Sequence, residues 1–414
     1  MDPFSQEFVK RRFYEFYSNP TTILPLPKNV SQREFAFFLF RERIMVRHRS
    51  AANPNELRRL IRSVEPSDVY YSCAYYENPE AEMEKKGWLG ADLVFDIDAD
   101  HIPTSCDKAH DEWTCKNCRS IGKGAPPEKC EKCGGQKFDT KTWPCEQCIN
   151  SAKDETSKLL KILKDDFGLS GNDLHVFFSG HRGYHVHVEN ETVQTLDSIA
   201  RKEIVDYVLG LGLAALKGGK KNEHDLGRDT SRDFHLHDFG WENRLKEGMR
   251  NFILNATPES LEKVGIRNSA IVENKDVILK RCLDEGRWDS IFGVSISSKT
   301  AWIKIARHIR DLESAKIDTV VTTDIHRLIR MNGTLHGKSG LLKVEFPAKR
   351  LADFDPFREA VAFKDGTAQV SVHSTPEFRI DDTMYGPYKN EIVELPLAAA
   401  VLLICKGRAE VVKN

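Results

Sequence analysis

Residues Ala91–Asp98 read ADLVFDID, an apolar run that ends in Asp96 and Asp98 with Ile97 between them. Its length and its content of Leu, Val, Phe and Ile predict a short buried strand. Residues at i and i+2 of a strand leave the same face about 6.6 Å apart. Two carboxylates so placed can share two divalent cations about 3.5–4 Å apart, the arrangement of phosphoryl-transfer sites. Asp100 has the same parity but lies beyond the apolar run. Acids at a strand end are more often solvated loop residues, so the pair needs company before it signifies chemistry.

That company begins at Ser179–Val188, SGHRGYHVHV. Leu174–Phe178 and Tyr184–Val188 predict two strands, with the Gly180–Gly183 turn between them. The glycines allow a tight turn that exposes backbone N–H groups, and Ser179, Arg182 and His185 add donors suited to phosphate oxygens. His185 and His187 alternate with Tyr184, Val186 and Val188, which puts both imidazoles on one sheet face. A polar-faced hairpin without a ligand would show the same alternation.

Further on, Thr322 or Thr323 can cap a helix reaching Arg330, with Ile325, Leu328 and Ile329 as its apolar stripe. Asp324 would sit in its first turn, where the helix dipole alone favours a carboxylate. Asp318 precedes that helix in an extended segment and is freer to serve as a third metal ligand. Arg330, His336 and Lys338 would follow in a loop rich in Asn and Gly, suited to gripping a triphosphate; a solvated surface is the plainer alternative. Leu341–Phe346 predicts a returning strand.

Seven of the ten cysteines fall between Cys106 and Cys148. Cys115/Cys118, Cys130/Cys133 and Cys145/Cys148 are three CxxC knuckles, each able to aim two thiolates at one tetrahedral zinc, and Cys106 with His110 supplies a fourth pair. Both gaps between successive knuckles are eleven residues, so spacing does not decide which pairs share a metal. A nested arrangement is favoured, with Cys115, Cys118, Cys130 and Cys133 as a compact ribbon on a base of Cys106, His110, Cys145 and Cys148. The alternative pairs the last two knuckles with each other. Sites of four protein ligands leave no open position for substrate, so the zinc is structural.

The 414 residues suit two or three structural units, and 61 Lys+Arg against 62 Asp+Glu leave a net charge of −1, so nucleic-acid binding would need local basic surfaces. With 40 % hydrophobic and 30 % charged residues the chain reads as globular. No secretory leader or membrane span is visible, Leu395–Ile404 being too short. A chain without such a leader is expected in a reducing compartment, where clustered cysteines more often ligate metal than form disulfides. Residues 4–18 and Glu56–Val64 predict amphipathic helices, Glu34–Val46 a strand and Ser151–Asp166 a helix. Residues 196–315 are charged and helix-like, broken at Gly218–Gly219 and Pro258, and read as a helical insertion. The whole predicts a mixed α/β core carrying two inserted modules.

Taken together, REFAF at Arg33–Phe37, VFDID at Val94–Asp98, SGHRGYHVHV at Ser179–Val188 and RLIRMNGTLHGKSG at Arg327–Gly340 resemble the small, catalytic subunit of archaeal and eukaryotic DNA primase, most closely the archaeal form. The likeness touches most of residues 30–190 and 315–347, with its motifs in the family's order. It implies a primase catalytic core with an RRM-like mixed sheet, divided as 1–100, 151–192 and 316–414. A zinc-binding insertion would occupy 101–150 and a helical subdomain 193–315. By the same likeness Asp96, Asp98 and Asp318 would bind Mg²⁺ or Mn²⁺, Asp318 being preferred to Asp324 for its distance before Arg330 and His336. Ser179, His181, Arg182 and His185 would contact the incoming nucleotide, and Arg330 and His336 its triphosphate. Glu34 matches an acidic position near the active centre, and Arg47 is a further nucleotide contact.

The resemblance implies a heterodimer with a large iron–sulfur primase subunit, a single-stranded DNA template, NTP or dNTP substrates, other replication proteins as partners, and a cytoplasmic, nucleoid-associated location. Two features depart from the family. It generally has one zinc knuckle, so the additional CxxC pairs look like an inserted ribbon, and His181 stands where relatives often carry another basic residue. The expected activity is template-directed primer synthesis by two-metal nucleotidyl transfer. The rivals are a repair or translesion primase-polymerase of the same superfamily, distinguished by dNTP preference, and a non-catalytic zinc-ribbon scaffold, distinguished by binding without synthesis.

Overall fold

The computed structural model describes residues 1–40, 44–213, 239–267, 270–280 and 299–413. These divide into two compact units. The first comprises Met1–Ser157, Ser170–Arg201 and Lys316–Asn414, the second Lys158–Leu169 and Lys202–Ala315.

Two four-stranded sheets organise the first unit. One has the order Val344–Phe346, Leu174–Phe178, Gly183–Val188, Leu93–Asp98. The other runs Leu328–Arg330, Pro66–Ser72, Phe35–Leu39, Met45–Arg49. An α/β fold with a zinc-module insertion is what the sequence predicts. The pairing differs in one respect, because every strand pair is antiparallel where a mixed sheet was expected.

Alternation in the first sheet separates its faces. Phe95, Ile97, Val176, Phe178, Tyr184 and Val186 point to one side and are fully buried. Asp96, paired in register with His185, occupies the other side together with Asp98, opposite Gly183. An added Cβ at Gly183 would lie 2.3 Å from the Ile97 carbonyl, so glycine is what allows the two strands to close at that point.

Local signals explain most of the helices. Asp2 caps Pro3–Ser18, accepting from the N–H groups of Phe4 and Ser5, and Asn53 caps Pro54–Val64. The helix containing the predicted 151–166 segment begins earlier, at Glu146, and so includes Cys148. Leu397–Cys405 forms a helix whose residues Ala398 to Ile404 are all buried, the expected fate of a short segment apolar on every side. No helix among the described residues is long and apolar enough to cross a membrane.

Three local expectations need correction. Glu34–Val46 is not one strand but parts of two, Phe35–Leu39 and Met45–Arg49, paired antiparallel. Thr322–Arg330 is not a helix: the helical turn is Thr319–Thr323, and Leu328–Arg330 is a strand on Ser72–Tyr70. A free edge on the Pro66–Ser72 strand offers backbone hydrogen bonds that outweigh the weak 3.6-residue periodicity of this segment. Pro258 does not break a helix but starts one, Pro258–Lys263, behind a Thr257 capping box, because the first helical position needs no N–H. Gly218–Gly219 lie outside the described residues.

Among its described residues the second unit contains the helices Gly240–Leu254 and Lys299–Glu313. Trp241, Leu245, Met249 and Ile253 from Gly240–Leu254 share a core with Trp302, Ile305 and Ile309 from Lys299–Glu313.

Candidate active site

Asp96 and Asp98 sit at the end of the Leu93–Asp98 strand, and the third acid comes to them through the backbone. The Asp318 N–H donates to the Asp96 carbonyl oxygen at 2.8 Å. Asp318 also caps the Thr319–Thr323 turn, accepting from the Val320 N–H at 2.9 Å. Asp324 ends that turn instead of beginning a helix, and its carboxylate accepts from the His326 N–H.

The carboxylates are electrostatically crowded. Burial, then the charges of Asp98 and Asp318, push Asp96 up to about 7. Burial and Asp100 push Asp98 up to about 6. His185 Nε2 lies 3.5 Å from Asp96 Oδ1, and burial followed by the charges of Lys343 and Arg330 holds this imidazole well below its ordinary value. A neutral histidine adds no counter-charge to Asp96, which is the electrostatic setting a divalent cation fits. The three acids are nonetheless not a closed ligand set: among the described residues, only the two Cys/His groups converge to within 4.8 Å.

Beside this edge lies a basic pocket built by the turn after Phe178. Ser179 Oγ accepts from the N–H groups of His181 and Gly183 at 3.3 and 3.2 Å, so its own O–H remains available to donate. Gly180 has φ +88°, and a Cβ there would meet His336 Cβ at 3.0 Å, so this position lets the Arg330–Gly340 loop close onto the turn. His181 and His336 stack at 5.1 Å. His336 Nδ1 accepts from the Lys338 N–H at 3.0 Å, which leaves Nε2 as its donor. Arg330 is held by Asp68 and by Tyr70 Oη at 3.2 Å. Asp68 also accepts from the Gly337 N–H at 2.8 Å. Burial would raise Asp68, but Arg330 and His336 outweigh it and hold the carboxyl at about 2.

Arg182 differs from expectation. Its side chain is 2 % exposed and its fork is occupied by Asp100 and by Asp111 Oδ2 at 2.8 Å. In this structure the guanidinium is turned to these carboxylates, with Asp98 Oδ1 at 4.0 Å from its Nε as well. Glu34 and Arg47 form a bidentate pair at 3.0 and 3.2 Å, joined by Lys86 at 3.2 Å. Burial would raise Glu34, yet Arg47 and the His48 N–H outweigh it and keep it ionised below the usual range. The hydrogen bonds of Glu34 therefore run to this cluster, not to the three acids.

The cysteines assemble in the nested arrangement. Cys106, His110, Cys145 and Cys148 form one set and Cys115, Cys118, Cys130 and Cys133 the other. Sulfur–sulfur separations are 3.3 Å for Cys106–Cys148 and 3.6 Å for both Cys115–Cys133 and Cys118–Cys130, close to the edge of a tetrahedron with bonds of about 2.3 Å. His110 presents Nε2 to Cys145 Sγ at 3.2 Å while Nδ1 meets Asp111 Oδ1 at 2.7 Å. A carboxylate on the second ring nitrogen is the usual support of a zinc-ligating histidine. Both sets could hold a structural zinc. The second rests on a three-stranded sheet with Glu112–Cys115 at its centre.

A family model described as DNA primase small subunit matches residues 138–347. The DNA primase small subunit of Nitrosopumilus maritimus is 32 % identical over 405 residues, covering 98 % of this chain and 98 % of the relative. That of Cenarchaeum symbiosum is 34 % identical over 406 residues, covering 97 % and 96 %. The chain belongs to the DNA primase small-subunit family. The small subunit of Methanococcoides burtonii is 33 % identical over 430 residues, with 99 % of each chain covered. Membership makes this protein a DNA primase catalytic subunit, and hence a nucleotidyltransferase.

Several residues at this primase site escaped sequence reasoning. Asp68 looks like an ordinary polar residue within Pro66–Ser72, yet it anchors Arg330 and Gly337. Lys343 is fully buried, donates to the Arg330 carbonyl at 2.8 Å and lies 3.4 Å from His187 Nε2. His187 in turn contacts Tyr71 Oη at 3.3 Å, joining the two sheets. Asp111 reads in the sequence as an ordinary acid after a zinc-ligand candidate. Only its place beside His110 could have marked it, since metal-bound histidines call for an acceptor.

Proposed function

We propose that this primase subunit starts chains on single-stranded DNA by joining nucleoside triphosphates, with Asp96, Asp98 and Asp318 as the ligands of two divalent cations, Mg²⁺ or Mn²⁺. The observation that carries the proposal is the hydrogen bond from the Asp318 N–H to the Asp96 carbonyl, which brings a carboxylate from a distant segment to the strand-end pair. When bound, the cations would activate the 3′-hydroxyl of one nucleotide and stabilise charge on the α-phosphate and leaving pyrophosphate of the next.

The chain's own residues have distinct tasks in this reading. Ser179 donates its free O–H and His336 its Nε2–H to phosphate oxygens. Arg330, oriented by Asp68 and Tyr70, adds a fixed positive charge, and neutral His185 borders the metal ligands. His181 lines the pocket through its stack on His336. Arg182 acts indirectly, tying the Ser179–Gly183 turn to Asp100 and Asp111. Such preset groups hold the triphosphate for in-line attack without reorganisation during the reaction. Glu34 and Arg47 form a rigid ion pair at the edge of the second sheet, where Arg47 remains 35 % exposed and open to a nucleotide or template contact. Zinc braces the module that carries Asp111.

Family membership supports a heterodimer with the large primase subunit and a place among the replication proteins at the nucleoid. The test is synthesis on unprimed single-stranded DNA with labelled NTPs or dNTPs and Mg²⁺ or Mn²⁺, with and without the large subunit. New chains from wild type and none from Asp96→Ala/Asp98→Ala protein are expected. Extension of a supplied primer without new starts would favour a repair polymerase, and silence in both assays would overturn the catalytic assignment.

A further inference from the structure

The pocket receives one basic side chain from a segment remote from all the motifs. The buried helix Leu397–Cys405 ends in a Schellman motif, in which Gly407 (φ +64°) donates to the Ile404 carbonyl and Arg408 to that of Leu403, both at 2.9 Å. This ending holds the backbone of Lys406, and Arg408 fastens it further by donating to the His110 carbonyl at 3.2 Å. From there the Lys406 ammonium reaches His181 Nε2 at 2.7 Å.

Charge matching sets Lys406 apart. Arg330 has Asp68, and Arg182 has Asp100 and Asp111. Among the described residues neither Lys406 nor Lys338 has a carboxylate within ion-pair distance. Lys406 thus meets a stacked pair of imidazoles, His181 and His336, one of which presents a free N–H, and the charge of Lys338 acts on both rings and on Lys406. Burial, then Arg182 and Lys338, push Lys406 down to about 7. Asp100 and Asp111 oppose that push only from a distance, and an ammonium without a directly paired carboxylate becomes favourable when a bound anion supplies the counter-charge.

We propose that Lys406 is a nucleotide-binding residue of this primase, contacting the terminal phosphates of the incoming triphosphate. The inference rests on the nucleotidyl-transfer reading above. The reacting phosphate must lie by Asp96 and Asp98, so a cation reached through His181 and His336 meets the far end of the triphosphate. A lysine ammonium is a compact point charge well suited to such an oxygen cluster. The last helix would then serve in substrate selection as well as in the core.

The experiment measures binding of ATP, ADP and AMP, each with Mg²⁺, by calorimetry to wild type and to Lys406→Met, which keeps the stem and removes the charge. Loss of one charge-assisted contact should weaken ATP about tenfold and leave AMP nearly unchanged. In primer synthesis KM should rise more than kcat falls. As a check independent of the variant's folding, ATP should shield Lys406 of the wild-type chain from amine acylation read by mass spectrometry, and AMP should not. Unchanged ATP affinity, an equal loss for AMP, or absent protection would overturn the proposal. A wild-type chain that binds no ATP fails at the underlying reading, whereas one that binds ATP indifferently to Lys406 fails at this inference alone.

Discussion

Asp318 donates its backbone N–H to the carbonyl oxygen of Asp96 at 2.8 Å, so the main chain itself ties the third acid to the strand-end pair. One carboxylate oxygen accepts from the Val320 N–H at 2.9 Å, and the charge of the group is felt at Asp96. Asp324, six residues on, likewise accepts from a nearby N–H, that of His326, but its own backbone N–H goes to the Val320 carbonyl and not to Asp96. Asp318→Asn should therefore lower primer synthesis by about a hundredfold or more, the scale of losing a metal ligand at a phosphoryl-transfer centre. Asp324→Asn should retain most of the activity. The reverse pattern in a primer-synthesis assay would make Asp324 the third metal ligand.

Elemental analysis should return about two zinc ions per chain, one for each convergent Cys/His set. Cys118→Ser should release one and spare most of the synthesis. Asp111→Ala should weaken metal at the His110 site about 10- to 100-fold and also reduce synthesis, since the same carboxylate holds Arg182 at 2.8 Å. A stoichiometry near one would sink the nested assignment.

In metal-free protein burial and the charges of Asp98 and Asp318 push Asp96 from 3.8 up to about 7, so between these values the folded chain binds more protons than the unfolded one. Stability must then fall as pH rises through that interval, the carboxylate being least welcome once ionised. The melting temperature in chelator should drop from pH 5 to pH 8, and Asp96→Asn should flatten the drop. Added Mg²⁺ should restore stability at the alkaline end by binding the ionised form. A wild-type profile parallel to that of Asp96→Asn would refute this electrostatic account.

Arg33 and Asp92 form an ion pair at 2.6 Å with side chains 1 % and 2 % exposed. Arg33 also donates to the carbonyls of Ser72 and Cys73, and its guanidinium lies 3.7 Å from the centre of the Tyr75 ring. Asp92→Ala strands that guanidinium in the core and should cost about 3–5 kcal/mol, the usual scale for breaking one side of a buried pair. Chemical denaturation would measure it, and a loss below about 1 kcal/mol, typical of exposed pairs, would contradict the burial argument.

By itself the sequence determined what depends on neighbours along the chain. The two-residue period of ADLVFDID put Asp96 and Asp98 on one face, the alternation after Gly183 did the same for His185 and His187, and each CxxC step fixed a pair of thiolates. These are short-range consequences of backbone geometry, and the structure keeps them. Tertiary structure decided what sequence distance conceals. Equal eleven-residue gaps left the zinc pairing open, and it took the fold to bring Cys106 and His110 to Cys145 and Cys148. Leu328–Arg330 became a strand because an open sheet edge stood beside it. Asp68, Lys343 and Lys406 entered the site only through contacts far along the chain. The physical reason is that a lone Asp or Lys acquires a distinctive charge state only when burial removes water and a remote partner, or the lack of one, sets its electrostatics.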